Sequence, residues 1–156
     1  MTEVAWWLTR PLSFMIWGGV FERFPKLKTM IVEGGTMFMV PSWLMLLDHN
    51  YTDVQFSAKL GDFRSHLSMA PSEYFARNCG IGASCVPRRD LDLKDQIGLK
   101  QIMWGSDFPH PEGTWPNTAQ YYVNTFKGFY QFFLLPLIVL CVFRSVPTSA
   151  SKCALI

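Results

Sequence analysis

The residues best fitted by type and spacing to do chemistry stand together in Gly105-Ser106-Asp107-Phe108-Pro109-His110-Pro111-Glu112-Gly113. They follow Ile102-Met103-Trp104, which reads as a short buried strand. Gly105 frees the backbone, and Pro109 and Pro111 stop a ladder or helix from continuing. In parallel α/β folds the carboxyl ends of the strands face the ligand crevice, so Asp107 is expected to project there with Ser106 and His110 close by. Asp107 and His110 could both touch one divalent cation, and a carboxylate there could take the proton of a cation-bound water. Met30-Ile31-Val32-Glu33, ended by Gly34-Gly35, repeats the pattern of a β-prone run closing on an acid. Glu33 is a second candidate catalytic residue, able to bind a cation or move a proton. The alternative for it is a buried carboxylate satisfied by the neighbouring glycine backbone.

These strand ends need a framework. Pro11 to Phe24 has helical spacing, with Leu12, Met15, Ile16 and Val20 on one stripe and Phe14, Trp17, Phe21 and Phe24 on a second. Pro11 suits the first turn, and Gly18-Gly19 marks close packing or a bend. A helix is expected from Pro41 to about Tyr51, then a long polar connection to Ala70 holding His66. Another helix opens at Pro71 with Glu73 early and runs to Asn78, leading into a strand of small residues from Cys79 to Cys85. The charge run Arg88 to Asp95 reads as a solvated helix ending near Gly98. Strands separated by helices indicate a parallel α/β fold.

Three of these stretches carry a resemblance. Residues 105 to 116 resemble the final-strand motif of the amidohydrolase-2 family, metal-dependent hydrolases and decarboxylases on a TIM barrel that include aminocarboxymuconate-semialdehyde decarboxylase-like enzymes. Gly18 to Lys28, running into Met30 to Gly35, is similar to the helix, turn and strand before the family's sixth-strand active-site position. Pro71 to Cys79 is similar to the approach to its seventh strand. The resemblance implies the C-terminal part of a (β/α)₈ barrel over residues 1–127, because a whole barrel takes about 250 residues and this chain has 156. It also implies that Asp107 binds the metal and acts as the base, with Ser106 and His110 near the substrate. The expected metal is zinc, with manganese as the alternative, and the reaction is attack of activated water on a C–N or C–O bond of a small molecule, or a related decarboxylation. The chain departs from the family at Glu33, where many relatives have histidine, and it has no His-x-His pair, since its histidines are His49, His66 and His110. Little activity is therefore expected of it alone. The partner could be a second copy or a missing N-terminal half.

Composition sets further bounds. A net charge of +2 without a basic cluster argues against nucleic acid. Hydrophobic residues make up 49% and charged ones only 17% of the chain, against a typical charged share of about 25%, which points to a covered apolar surface. Cys79, Cys85, Cys141 and Cys153 lack zinc-ribbon or CxxC spacing and fit reduced thiols of a cytoplasmic protein. Met1 to Arg10 has no secretory leader pattern. Residues 128–156 form a tail outside the resemblance, with an apolar run from Phe129 to Phe143 broken by Gln131 and Pro136. It falls between an interfacial segment and a spanning helix. Non-family sequence, a core or partner-binding segment, and membrane contact are its three readings, the alternative function being a non-catalytic half-barrel that pairs through this tail. The last four residues fit the loose prenylation form.

Overall fold

The computed structural model describes residues 2–32, 38–53 and 59–128. Three strands, β1 (Thr29–Ile31), β2 (Cys79–Ser84) and β3 (Ile102–Gly105), form one parallel sheet in the order β1-β2-β3. The helices are α1 (Thr2–Trp17), α2 (Val20–Arg23), α3 (Met39–Thr52), α4 (Pro71–Asn78), α5 (Lys94–Ile97) and α6 (Thr118–Phe126). The turns Arg88–Leu93 and Leu99–Gln101 are 3₁₀. A parallel sheet with helical crossovers is the arrangement expected of consecutive units in a β/α barrel.

Side-chain size sorts the two faces of the sheet. Cys79 and Ile81 on β2 and Trp104 on β3 are buried with Leu12, Ile16, Val40, Trp43, Leu44, Leu47, Tyr74, Phe75 and Phe126 in one core. On the other face Met30 lies opposite Gly80, and Met103 opposite Gly82. A Cβ on Gly80 would stand 2.6 Å from Met30 Sδ, and one on Gly82 3.6 Å from Met103 Cε. The bare central strand is thus covered by long side chains from its two neighbours.

Two expectations about the helices are corrected. α1 begins at Thr2 rather than Pro11, and Pro11 sits within it. The break comes where the glycine pair stands, with Gly19 at φ 65 and the chain restarting as α2. His66 Nε2 lies 2.9 Å from the Trp17 carbonyl, and a Cβ on Gly19 would come within 2.8 Å of the His66 ring. Leu12 and Ile16 are buried as their stripe predicts, but on the second stripe Phe14 and Phe24 are exposed while Phe21 is buried. The run from Arg88 is not one solvated face either. Its first half winds as a 3₁₀ turn, which rotates Asp90 and Leu91 into the interior. Burial then raises the Asp90 carboxyl above its ordinary range, against the opposing pull of Arg89.

A polar clamp ties the segments together under the sheet. Glu22 Oε1 accepts from the Ser68 backbone N–H at 2.9 Å, from Ser68 Oγ at 2.5 Å, and from the Tyr74 hydroxyl. These bonds to Ser68, helped by Arg77, hold the Glu22 carboxyl below its ordinary range. Arg77 donates to the Phe21 carbonyl at 2.7 Å and lies over the Tyr74 ring at 5.2 Å. The fully buried Asn78 amide donates to the carbonyls of Pro25 and Leu27 at 3.0 and 2.7 Å. Asp48 on α3 accepts from the Ser72 N–H at 2.9 Å, which places a carboxylate at the positive end of α4. Arg88 reaches the carbonyls of Thr125 and Lys127 and holds the end of α6.

No helix among the described residues is long and apolar enough to cross a membrane. The tail readings fall on residues 129–156, which lie outside the described residues.

Candidate active site at the strand ends

β3 ends at Gly105, and two residues later Asp107 takes a left-handed backbone, φ 59. Residues other than glycine rarely adopt this conformation, aspartate being among the more tolerant. It turns the chain into a compact loop. The His110 N–H donates to the Asp107 carbonyl at 2.8 Å, the Gly113 N–H to His110 at 2.9 Å, and the Thr114 N–H to the Ser106 carbonyl at 2.9 Å. Gly113 is required there, because a Cβ would stand 2.8, 2.8 and 2.9 Å from the carbonyl oxygens of Asp107, Ser106 and His110.

This closure brings Asp107 and His110 together. His110 Nδ1 lies 3.4 Å from Asp107 Oδ2, with the carboxylate side chain 19% exposed and the imidazole 58% exposed. The pair therefore forms at the edge of the site, and the imidazole remains open to a bound molecule. Ser106 contributes through its backbone: its carbonyl also accepts from Thr114 Oγ1 at 3.3 Å and so anchors the loop. Glu33, the other candidate, lies outside the described residues.

Sequence reasoning missed Cys85. It stands at the corresponding end of the adjacent strand β2, also with a left-handed backbone, φ 52, and its N–H donates to the Gly105 carbonyl at 3.4 Å. Its thiol donates to the Glu112 carbonyl at 3.7 Å, which stitches the two strand-end loops together. Burial raises its pKa, and the Asp107 and Glu112 carboxylates push the same way. The available signal was its position just past a strand of small residues, parallel to that of Asp107. Cys79 lies deeper, and burial pushes its thiol up to about 12, so it is inert at neutral pH. Cys79 and Cys85 are both free thiols.

The other histidines lie elsewhere. His49 Nε2 is 3.8 Å from Asp53 Oδ2 one turn along α3, and His66 is engaged at the α1–α2 break. Among the described residues no three His, Cys, Asp or Glu side chains converge on a point that could hold a metal ion. Asp107 and His110 are two donors, one short of the three protein ligands of a typical catalytic zinc, so the described residues do not complete a metal centre. What they offer is a carboxylate beside an imidazole at the carboxyl ends of parallel strands, an arrangement suited to receiving and holding a proton.

Comparison with known proteins identifies the family and the fold. The 5-carboxyvanillate decarboxylase LigW from Sphingomonas paucimobilis superposes with a TM-score of 0.53 at 31% sequence identity, over 69% of this chain and 30% of that one. The chain thus spans less than a third of that enzyme's length. The family model described as Amidohydrolase matches residues 8–136, running beyond Lys127 into the stretch expected to fall outside the resemblance. Because that match covers most of the 156 residues, the chain belongs to the amidohydrolase-2 family.

Proposed function

We propose that the chain forms the C-terminal strands of a (β/α)₈ barrel and contributes to a metal-dependent hydrolase or decarboxylase acting on a small molecule. The supporting observation is the Asp107–His110 pair at the carboxyl end of β3, the face on which barrel enzymes carry their chemistry. Asp107 is a metal ligand and proton acceptor. Its partner His110 holds the carboxylate's orientation and presents its exposed edge to substrate, and Ser106 fixes the loop from the strand side. A divalent cation, zinc with manganese as the alternative, supplies a Lewis acid and a water of lowered pKa when bound. Its remaining ligands come from outside the described residues, where Glu33 also stands. The likeness to LigW, a decarboxylase, favours decarboxylation over hydrolysis within this pair of reactions. We place the domain boundary at residues 127/128, inside the stretch to residue 136 that the family model matches, and the compartment as cytoplasmic.

The test is zinc binding by the full chain, measured by calorimetry with Asp107→Asn. The variant is expected to bind on the order of 10–100-fold more weakly with an unchanged circular dichroism spectrum. Equal affinity would remove Asp107 from the metal site.

A second reading, a non-catalytic half-barrel that pairs with another chain or a second copy, is favoured by the exposed side chains of Trp6, Trp7 and Phe14 on α1 and of Met45 and Leu46 on α3. Light scattering on the purified chain separates a monomer from a stoichiometric assembly.

A further inference from the structure

We propose that the amino-terminal end of the sheet, opposite the Asp107 loop, is a docking surface for an acidic protein segment that carries an apolar side chain. Charge is sorted by the ends of the strands. Of the segments that lead into them, residues 23–28 carry Arg23, Lys26 and Lys28, residues 75–78 carry Arg77, and residues 98–101 carry Lys100, with no aspartate or glutamate among them. The loop that leaves β3, residues 106–113, carries Asp107 and Glu112 and no lysine or arginine. Because the strands are parallel, the cations gather at one end of the sheet and these acids at the other. Arg23, Lys26, Lys28 and Lys100 are exposed.

The apolar half of this surface is the turn between α2 and β1. Arg23, Phe24, Pro25, Lys26 and Leu27 line a recess of about 400 Å³. Phe24 is 57% and Leu27 40% exposed, whereas Phe21, three residues earlier, has no exposure. The turn is nonetheless fixed. The Leu27 N–H donates to the Phe24 carbonyl at 3.0 Å, and the buried Asn78 amide donates to the carbonyls of Pro25 and Leu27. Two of the cations are positioned as well, Arg23 on the Gly18 carbonyl at 2.9 Å and Lys28 on that of Arg77. Glu22, adjacent in sequence, does not line the recess, and its carboxylate is bonded to Ser68 and Tyr74. A held turn that leaves a ring and an aliphatic side chain in solvent among cations has the make-up of an interface, an apolar anchor site with a charged rim. Charge selects the partner, because a run of aspartate or glutamate is steered to such a rim and a neutral or basic segment is not. The cations stand before three different strands rather than round one point, which suits an extended acidic chain better than a single small anion.

The test uses the full chain and a capped hexapeptide, two aspartates on each side of a leucine–phenylalanine pair, with binding read by calorimetry. Affinity is expected to fall about tenfold between about 0.05 and 0.5 M salt. Lys26→Glu and Phe24→Ser should each weaken binding about tenfold. Both are exposed positions, so circular dichroism and the thermal melt should be unchanged. A second peptide with serines in place of leucine and phenylalanine should bind as weakly as the first binds Phe24→Ser. Absence of binding, equal binding by the serine peptide, or an affinity that survives both substitutions overturns the proposal, the last by placing the peptide elsewhere, such as on the exposed face of α1. Octanoate binding as tightly as the peptide would assign the recess to a small anion and overturn it too.

Discussion

The clamp beneath the sheet and the loop above it are both rich in polar groups, but they use them in opposite ways. Below, Glu22, Ser68, Tyr74, Arg77 and Asn78 join segments about fifty residues apart in the chain, and Tyr74 and Asn78 have no exposure at all. Above, Asp107, His110, Gly113 and Thr114 bond within one short loop, and His110, Phe108 and Trp115 face solvent. Polar groups that hold a fold are saturated by distant partners. Those of the loop are held by their own neighbours and keep an edge free. The Gly18 to Lys28 and Pro71 to Cys79 stretches, which look as family-specific as the Asp107 motif, belong to the first kind.

That contrast predicts where the molecule breaks. Phe75, 1% exposed and edge-on to Trp43 at 6.0 Å, packs α4 against α3. Phe75→Ala should cost about 3–5 kcal/mol in chemical denaturation, and a loss below about 1 kcal/mol would show that the core lies elsewhere. Asn78→Ala removes a fully buried amide that donates to the carbonyls of Pro25 and Leu27 and should cost about 1–3 kcal/mol in chemical denaturation. A neutral result would mean that the clamp does not stabilise the fold.

The smallest effect concerns acid. Because the folded-state pKa of Glu22 is depressed, its contribution to stability is present above its ordinary value of 4.5 and is lost as the pH falls through the lower folded value. Thermal melts of Glu22→Gln should therefore show a shallower loss of stability than the parent as the pH is taken below 4.5. Parallel curves would show that the Ser68 and Tyr74 bonds do not depend on the charge.

Much of the local structure was legible. α4 and β2 fall where Pro71, Glu73 and the small residues after Asn78 place them, because helix starts and strand composition are local properties. A bend at Gly18-Gly19 was legible for the same reason, although the helical spacing reads through it to Phe24 and the chain in fact breaks there into α1 and α2. Its beginning was not: proline reads as a first-turn residue, and nothing nearby showed that α1 would carry Pro11 inside it. The burial of Asp90 was hidden because a 3₁₀ turn repeats every three residues rather than 3.6. Glu22 offered no signal, since its meaning depends on Ser68 and Tyr74 arriving from other segments. At the site, Asp107 and His110 could be read together because one loop carries both. Cys85 could not, because only strand pairing brings it beside that loop.

The pairing of Met30 with Gly80 and of Met103 with Gly82 has a consequence for redesign. At the Met30–Gly80 rung, volume is shared across the sheet rather than along either strand. A side chain added at Gly80 takes space already occupied from the side by Met30, so the smallest change that rung accepts is a compensated exchange of two residues that are far apart in the chain and adjacent in the sheet, whereas a Cβ at Gly82 meets only ordinary contacts.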